Sequence, residues 1–241
     1  MKKYIYLFFM LLGSVFANGQ SDYYFYFNNG ATRYNIRDYR SAVIYFTLFL
    51  ADNPSDEKTY VCRGLAEFHL GEFDNALSDY NKAVELDSTY VDAYFNIADL
   101  EYKLKNFEKA IFYYTKTIEL NHKDDMAYLS RGIAKQDLAD YSGAICDFTE
   151  TIRLKPKHAD AYLYRGIARR YLGDYAGTIE DLSKADKINP MLLDTYFTTK
   201  NMKDTLDEYK KAIASYNAAP KTKVAYRASL KTKPKENLST R

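Results

Sequence analysis

Residues 161–190 read AYLYRGIARRYLGDYAGTIEDLSKADKINP, and residues 127–156 read AYLSRGIAKQDLADYSGAICDFTETIRLKP. Phrases that align without a gap over a 34-residue step restrict a chain to architectures made by stacking one small unit. With Gly166 and Gly132 set at position 8, the same step backward lands on Ala98, Gly64 and Gly30. The units are then 23–56, 57–90, 91–124, 125–158 and 159–192.

Other columns hold the phase. Position 4 is Tyr26, Tyr60, Tyr94, Tyr128 and Tyr162, and position 17 is Tyr39, Phe73, Phe107, Tyr141 and Tyr175. Position 20 is Ala42, Ala76, Ala110 and Ala144, then Thr178; position 24 is Phe46, Tyr80, Tyr114 and Phe148, then Leu182. Positions 4, 8 and 11 fall at helical spacing, as do 17, 20, 24 and 27–28, so each unit predicts two amphipathic helices. Small residues at 8 and 20 let the pair approach closely, and the rings fill what is left. Gly71 and Gly173 sit where the first helix must end in a left-handed residue. Asp38, Asp140 and Asp174 follow as N-caps of the second helix. One such hairpin cannot bury both of its faces, so neighbours must stack. The chain has only 10 Gly and 5 Pro, which suits long helices better than turn-rich strands.

These columns closely resemble the tetratricopeptide repeat family. The resemblance implies an all-α fold, a right-handed superhelical solenoid of antiparallel helix pairs. Two columns depart from the family pattern. Position 7 is Arg63, Arg131 and Arg165, which must reach solvent or a carboxylate, and position 15 is Arg37, Lys105 and Ala139 in three units. After Pro190 the phase weakens: Tyr196, Tyr209, Ala212 and Tyr216 fit, whereas Thr199 and Lys200 do not. Residues 193–219 therefore read as a degenerate sixth hairpin capping the array.

The two ends differ from the repeats. Met1–Ala17 has a basic MKK start, a short apolar run and small residues at Val15 and Ala17. That is the layout of a secretory signal peptide cut near Ala17, the alternative being an uncleaved anchor. Residues 18–22 read as a short lead-in. Residues 220–241 hold Lys221, Lys223, Arg227, Lys231, Lys233, Lys235 and Arg241 against Glu236 alone, a disordered basic tail on an acidic body. Cys62 and Cys146 occupy different repeat positions, which favours two small buried hydrophobes over a disulfide.

No constellation for catalysis stands out. His69, His122 and His158 lack metal-ligand spacing, and there is no Gly-rich phosphate loop, G-x-S-x-G or C-x-x-C. Neither a cofactor nor a metal is expected. The family resemblance implies a concave surface lined by first helices, with positions 2, 5, 6, 9, 12 and 13 inward. Position 5 is Phe27, Val61, Phe95, Leu129 and Leu163; position 6 is Asn28, Cys62, Asn96, Ser130 and Tyr164. Position 9 is Ala31, Leu65, Asp99, Ile133 and Ile167; position 12 is Tyr34, Phe68, Tyr102, Gln136 and Arg170. The candidate peptide-binding residues are Asn28, Tyr34, Leu65, Phe68, Phe95, Asn96, Asp99, Tyr102, Leu129 and Ile133. An Asn at position 6 has the donor and acceptor to hold a peptide backbone, and the rings suit interface anchors. No frame supplies the cationic Lys and Arg residues of co-chaperone carboxylate clamps, so a chaperone-tail receptor is not expected. The expectation is a non-enzymatic scaffold of a bacterial cell envelope that binds a protein or peptide segment. The alternative is an adaptor whose basic tail docks anionic lipid or cell-wall polymer. Nucleic acid is not an expected partner, because export separates the two.

Overall fold

A computed structural model describes residues 19–200 and 202–218. The leader 1–17 and the basic tail 220–241 lie outside the described residues, within which every regular element is a helix. These are α1 (Gly19–Asn35), α2 (Tyr39–Asp52), α3 (Glu57–Leu70), α4 (Phe73–Leu86), α5 (Val91–Lys103) and α6 (Phe107–Leu120). They continue as α7 (Asp125–Asp137), α8 (Tyr141–Leu154), α9 (Ala159–Tyr171), α10 (Tyr175–Ile188), α11 (Leu192–Thr199) and α12 (Lys203–Ala218). The described residues form two compact units that divide between Lys105 and Asn106, so α1–α5 lie in the first and α6–α12 in the second. α1 begins at Gly19, inside the stretch read from sequence as a lead-in.

The helix ends follow their residues. Asp38, Asp140 and Asp174 accept the backbone N–H of Ser41, Gly143 and Gly177. Asp56 and Asp124, one repeat position before α3 and α7, do the same for Thr59 and Ala127 and were not read as caps from sequence. Gly71 and Gly173 end α3 and α9 near φ values of 81° and 80°. The same turn elsewhere uses Arg37, Lys105 and Ala139 at φ values of 63°, 63° and 61°. A residue with a Cβ costs about 1–2 kcal/mol more than glycine there, and the turn tolerates it because the hairpins on either side hold it.

In the first unit, Ala42, Phe46 and Ala66 are buried with Phe27, Tyr34, Tyr39, Val43 and Cys62 packed against them. In the second, Leu129, Ala144, Phe148, Ala161 and Ala168 form one cluster. A second cluster joins Leu163, Ile167 and Leu182 to Leu193, Phe197, Leu206, Ile213 and Tyr216. The short α11 and long α12 thus bury an apolar face against the fifth hairpin, and Ser183 donates to Asn217 Oδ1 at 3.0 Å, 34 residues on.

The position-8 glycines make the hairpins close. A Cβ on Gly30, Gly64 or Gly132 would stand 2.6 Å from the ring of Phe46, Tyr80 or Phe148, the position-24 aromatic of its own repeat. At Gly166, where position 24 is Leu182, the nearest atom is Asp181 Cβ at 3.3 Å. Gly132→Ala should therefore destabilise by about 1–3 kcal/mol through overpacking, despite the roughly 1 kcal/mol that alanine gains in helix propensity. Gly166→Ala should cost clearly less. Urea midpoints of the two variants check this; equal shifts would contradict the ring contact.

Candidate functional site

The position-7 arginines do not reach out to solvent. Arg63 donates from Nε and Nη2 to the two carboxylate oxygens of Asp79, each at 2.7 Å. Arg131 grips Asp147 in the same way at 3.0 and 2.6 Å, and Arg165 grips Asp181 at 2.9 and 2.8 Å. Each Nη1 also donates to a threonine hydroxyl of the preceding repeat: Thr47, Thr115 and Thr149, at 3.2, 3.0 and 3.1 Å. Each guanidinium lies over the position-4 ring, Tyr60, Tyr128 or Tyr162, at 5.5–5.6 Å. The tyrosine hydroxyls of Tyr60 and Tyr162 donate back to Pro54 and Pro156 carbonyls in the turn before the repeat. One arginine thus ties its own second helix to the previous repeat, and the bidentate geometry makes the bond directional.

The three columns switch together. Repeats with Arg at 7 have Asp at 23 and Thr at 25 of the repeat before. Where position 7 is Asn29 or Ile97, position 23 is Tyr45 or Tyr113, and Ile97 is preceded by Asn81 instead of Thr. That joint switching is visible in the sequence, although the arginines alone were noticed.

Position 11 adds a second charge beside the buried aspartate. Lys135 reaches Asp147 at 2.8 Å, and Arg169 reaches Asp181 at 2.7 Å. In the second repeat the same position is Glu67, buried, with Oε2 lacking any hydrogen-bond partner. Burial first, then the Asp79 carboxylate, push the Glu67 carboxyl up to about 7. The ladder is structural: its arginines and aspartates are paired and face into the hairpins.

The sequence-selected groove residues divide between the units. Asn28, Tyr34, Leu65, Phe68, Phe95, Asn96, Asp99 and Tyr102 lie on α1, α3 and α5 of the first, and Leu129 and Ile133 on α7 of the second. Leu129 is 6% exposed and packs in the core, with Ile133 half-buried against the same cluster. Asn96 donates its side-chain amide to the Asp92 carbonyl at 2.7 Å, which leaves its Oδ1 as the group to meet a ligand N–H. Asn28 is exposed, and Leu65, Phe68, Phe95, Asp99 and Tyr102 are half-buried. Tyr34 bonds His69 at 3.1 Å, and the His69 ring stacks on Tyr39 at 4.5 Å, so this histidine is a packing residue. Cys62 and Cys146 are free thiols, as expected, but not both buried: Cys62 is half-buried, and burial pushes its thiol up to about 11, whereas Cys146 lies on an exposed face of α8.

The second unit carries a tyrosine surface that the sequence reading passed over. Tyr164 meets Tyr196 edge-on at 5.9 Å, and Tyr171 stacks on Tyr141 at 4.4 Å. The Arg170 guanidinium lies 6.0 Å from the Tyr209 ring. Burial pushes the Tyr196 and Tyr209 hydroxyls up to about 12, so both remain hydrogen-bond donors at neutral pH. Among the described residues no group of three His, Cys, Asp or Glu is placed to hold a metal, and no helix is long and apolar enough to cross a membrane.

Antiparallel hairpins in a fixed 34-residue phase, each presenting one face of its first helix, define an all-α helical-repeat protein. Sequence models described as tetratricopeptide repeat match residues 91–124 and 129–190, and a TPR repeat model matches 64–105. The chain belongs to the tetratricopeptide repeat family. No curated protein matches it. Among solved structures it is similar to the MamA protein, at 22% identity and TM-score 0.64, covering 71% of this chain and 94% of that one. MamA 41-end from Desulfovibrio magneticus RS-1 aligns at 16% identity and TM-score 0.65, over 70% and 96%. YrrB, described as a TPR protein with an unusual peptide-binding site, aligns at 20% identity and TM-score 0.62, over 78% and 97%. Likeness at these identities establishes the solenoid fold.

Proposed function

We propose that the chain is a non-enzymatic protein-interaction scaffold of a bacterial cell envelope. It takes an extended partner segment on the first helices of its first unit. The observation that carries this is the row of half-buried apolar and aromatic side chains, Leu65, Phe68, Phe95 and Tyr102, beside the free Oδ1 of Asn96. Such a row offers a peptide both burial and one backbone hydrogen bond. The peptide-binding site named for YrrB, on the same fold, supports the reading. Export rests on the composition of residues 1–17, and a second reading, docking of the tail on an anionic surface, rests on the cations of 221–241.

The test is affinity capture from the native envelope followed by titration of the captured partner. Asn96→Ala should weaken binding by about 1–3 kcal/mol, because a ligand N–H is left unpaired. Tyr102→Ala should cost about 2 kcal/mol or more. Lys82→Ala on α4, which pairs with Glu85 at the surface, should bind as the parent does. Equal affinity for all three would remove the groove. Loss of capture on deleting 221–241 alone would favour the tail.

A further inference from the structure

We propose that the second unit holds a docking site for an extended peptide bearing an acidic side chain, with Arg170 receiving the carboxylate beside a cluster of tyrosines. This rests on the scaffold reading above and adds a second site with a stated ligand chemistry.

The arginine is the first reason. Arg131, Arg165 and Arg169, on the same or the neighbouring first helix, are each paired to a buried aspartate. Arg170 has no carboxylate within ion-pair distance among the described residues, and its contact is the face of Tyr209. A half-buried guanidinium against an aromatic wall has lost part of its water and gained only a ring in exchange. An incoming carboxylate completes for Arg170 the pairing that Arg165 and Arg169 already have.

The surroundings specify more than charge. The guanidinium lies against Tyr209 on α12, Tyr196 on α11 is within electrostatic reach of both Arg170 and Tyr171, and Tyr164 meets Tyr196 edge-on, so rings from α9, α11 and α12 cluster about one charge. Tyr171 is 61% exposed although it stacks on Tyr141, so a broad aromatic face is open to a ligand. Several rings about one charge leave room for residues on both sides of an acid to pack, so the carboxylate is assigned to an Asp or Glu side chain rather than a terminus.

The test uses the full chain and fluorescent, amide-capped heptapeptides in which Phe and Gly alternate about a central Asp, Asn or Lys. The Asp probe should bind about tenfold more tightly than the Asn probe, with no saturable binding of the Lys probe. Arg170→Gln should abolish the difference between Asp and Asn, while Arg153→Gln, an exposed partner of Glu150, should preserve it. Circular dichroism should show both variants fully helical. A fourth probe, with central Asn and a free C-terminal carboxylate, separates the two kinds of acid; if it binds more tightly than the Asp probe, the side-chain assignment is overturned. Equal binding of the Asp and Asn probes overturns the proposal, as does wild-type discrimination by Arg170→Gln or failure of every probe to bind. The scaffold reading is judged separately by the captured partner and the Asn96 and Tyr102 variants of the first unit.

Discussion

Asp147→Ala should lower the stability of the chain by about 3–5 kcal/mol. Asp147 is 3% exposed and receives Arg131 through two hydrogen bonds and Lys135 through a third contact. Truncation leaves both cations half-buried against apolar helix surfaces with no counter-charge. It also releases the hold of Arg131 on Thr115, since the guanidinium must turn toward water. The cost therefore exceeds that of an exposed pair such as Arg153–Glu150, where Arg153→Ala should change stability by no more than about 1 kcal/mol. Arg131→Met combined with Asp147→Leu should recover most of the loss, because neither buried charge of the bidentate pair is then left alone, while Lys135 can extend to solvent. Urea unfolding of the three variants separates these outcomes. A midpoint for Asp147→Ala close to that for Arg153→Ala would show that the ladder contributes nothing beyond surface ion pairing.

The hairpins were legible because their determinants repeat. A small residue at position 8 and a ring at position 24 recur at fixed spacing, and the same contact then appears between Gly30 and Phe46, Gly64 and Tyr80, and Gly132 and Phe148. The caps are legible where aspartate opens a second helix, and less so at Asp56 and Asp124, because the same repeat position is Tyr90 and His158 elsewhere and forms no uniform column. The arginine ladder was half legible. A need for a carboxylate follows from any buried guanidinium, but its partner lies 16 residues on, across the hairpin, a distance that helical spacing within one element does not suggest. The candidate groove was least legible. Position 6 of the third repeat is Asn96 in any reading, yet only the structure shows its amide spent on Asp92. Family position also treats Leu129 and Phe95 alike, whereas Leu129 is core and Phe95 half-buried. Which side of a residue faces a neighbour depends on the bulk of that neighbour, and this the columns do not encode.

Glu67 should make the second repeat weaken as pH rises. Its carboxyl is shifted up to about 7 by burial and by the Asp79 charge, against about 4.3 in an unfolded chain. A carboxyl raised in the folded state favours folding fully below its unfolded value, where both states are protonated. Between pH 4.3 and 7 the unfolded chain gives up its proton and the folded one keeps it, so stability falls across that window and levels off above it. The fall is at most about 4 kcal/mol for a shift of this size, reduced where solvent screens the carboxyl. Glu67→Gln removes the titrating group, so its stability should match the parent near pH 4 and exceed it at pH 8. Glu67→Lys goes further, since position 11 carries Lys135 and Arg169 where the paired aspartate already has its arginine. With Arg63 and a lysine both on Asp79, the second repeat acquires the arrangement of the fourth, and the pH 8 gain should be at least that of glutamine. Urea unfolding of the parent and both variants at pH 4, 6 and 8 decides it. A parent whose midpoint does not drop relative to Glu67→Gln between pH 4 and 8 would mean that Glu67 ionises freely, and that Arg63 already balances both carboxylates.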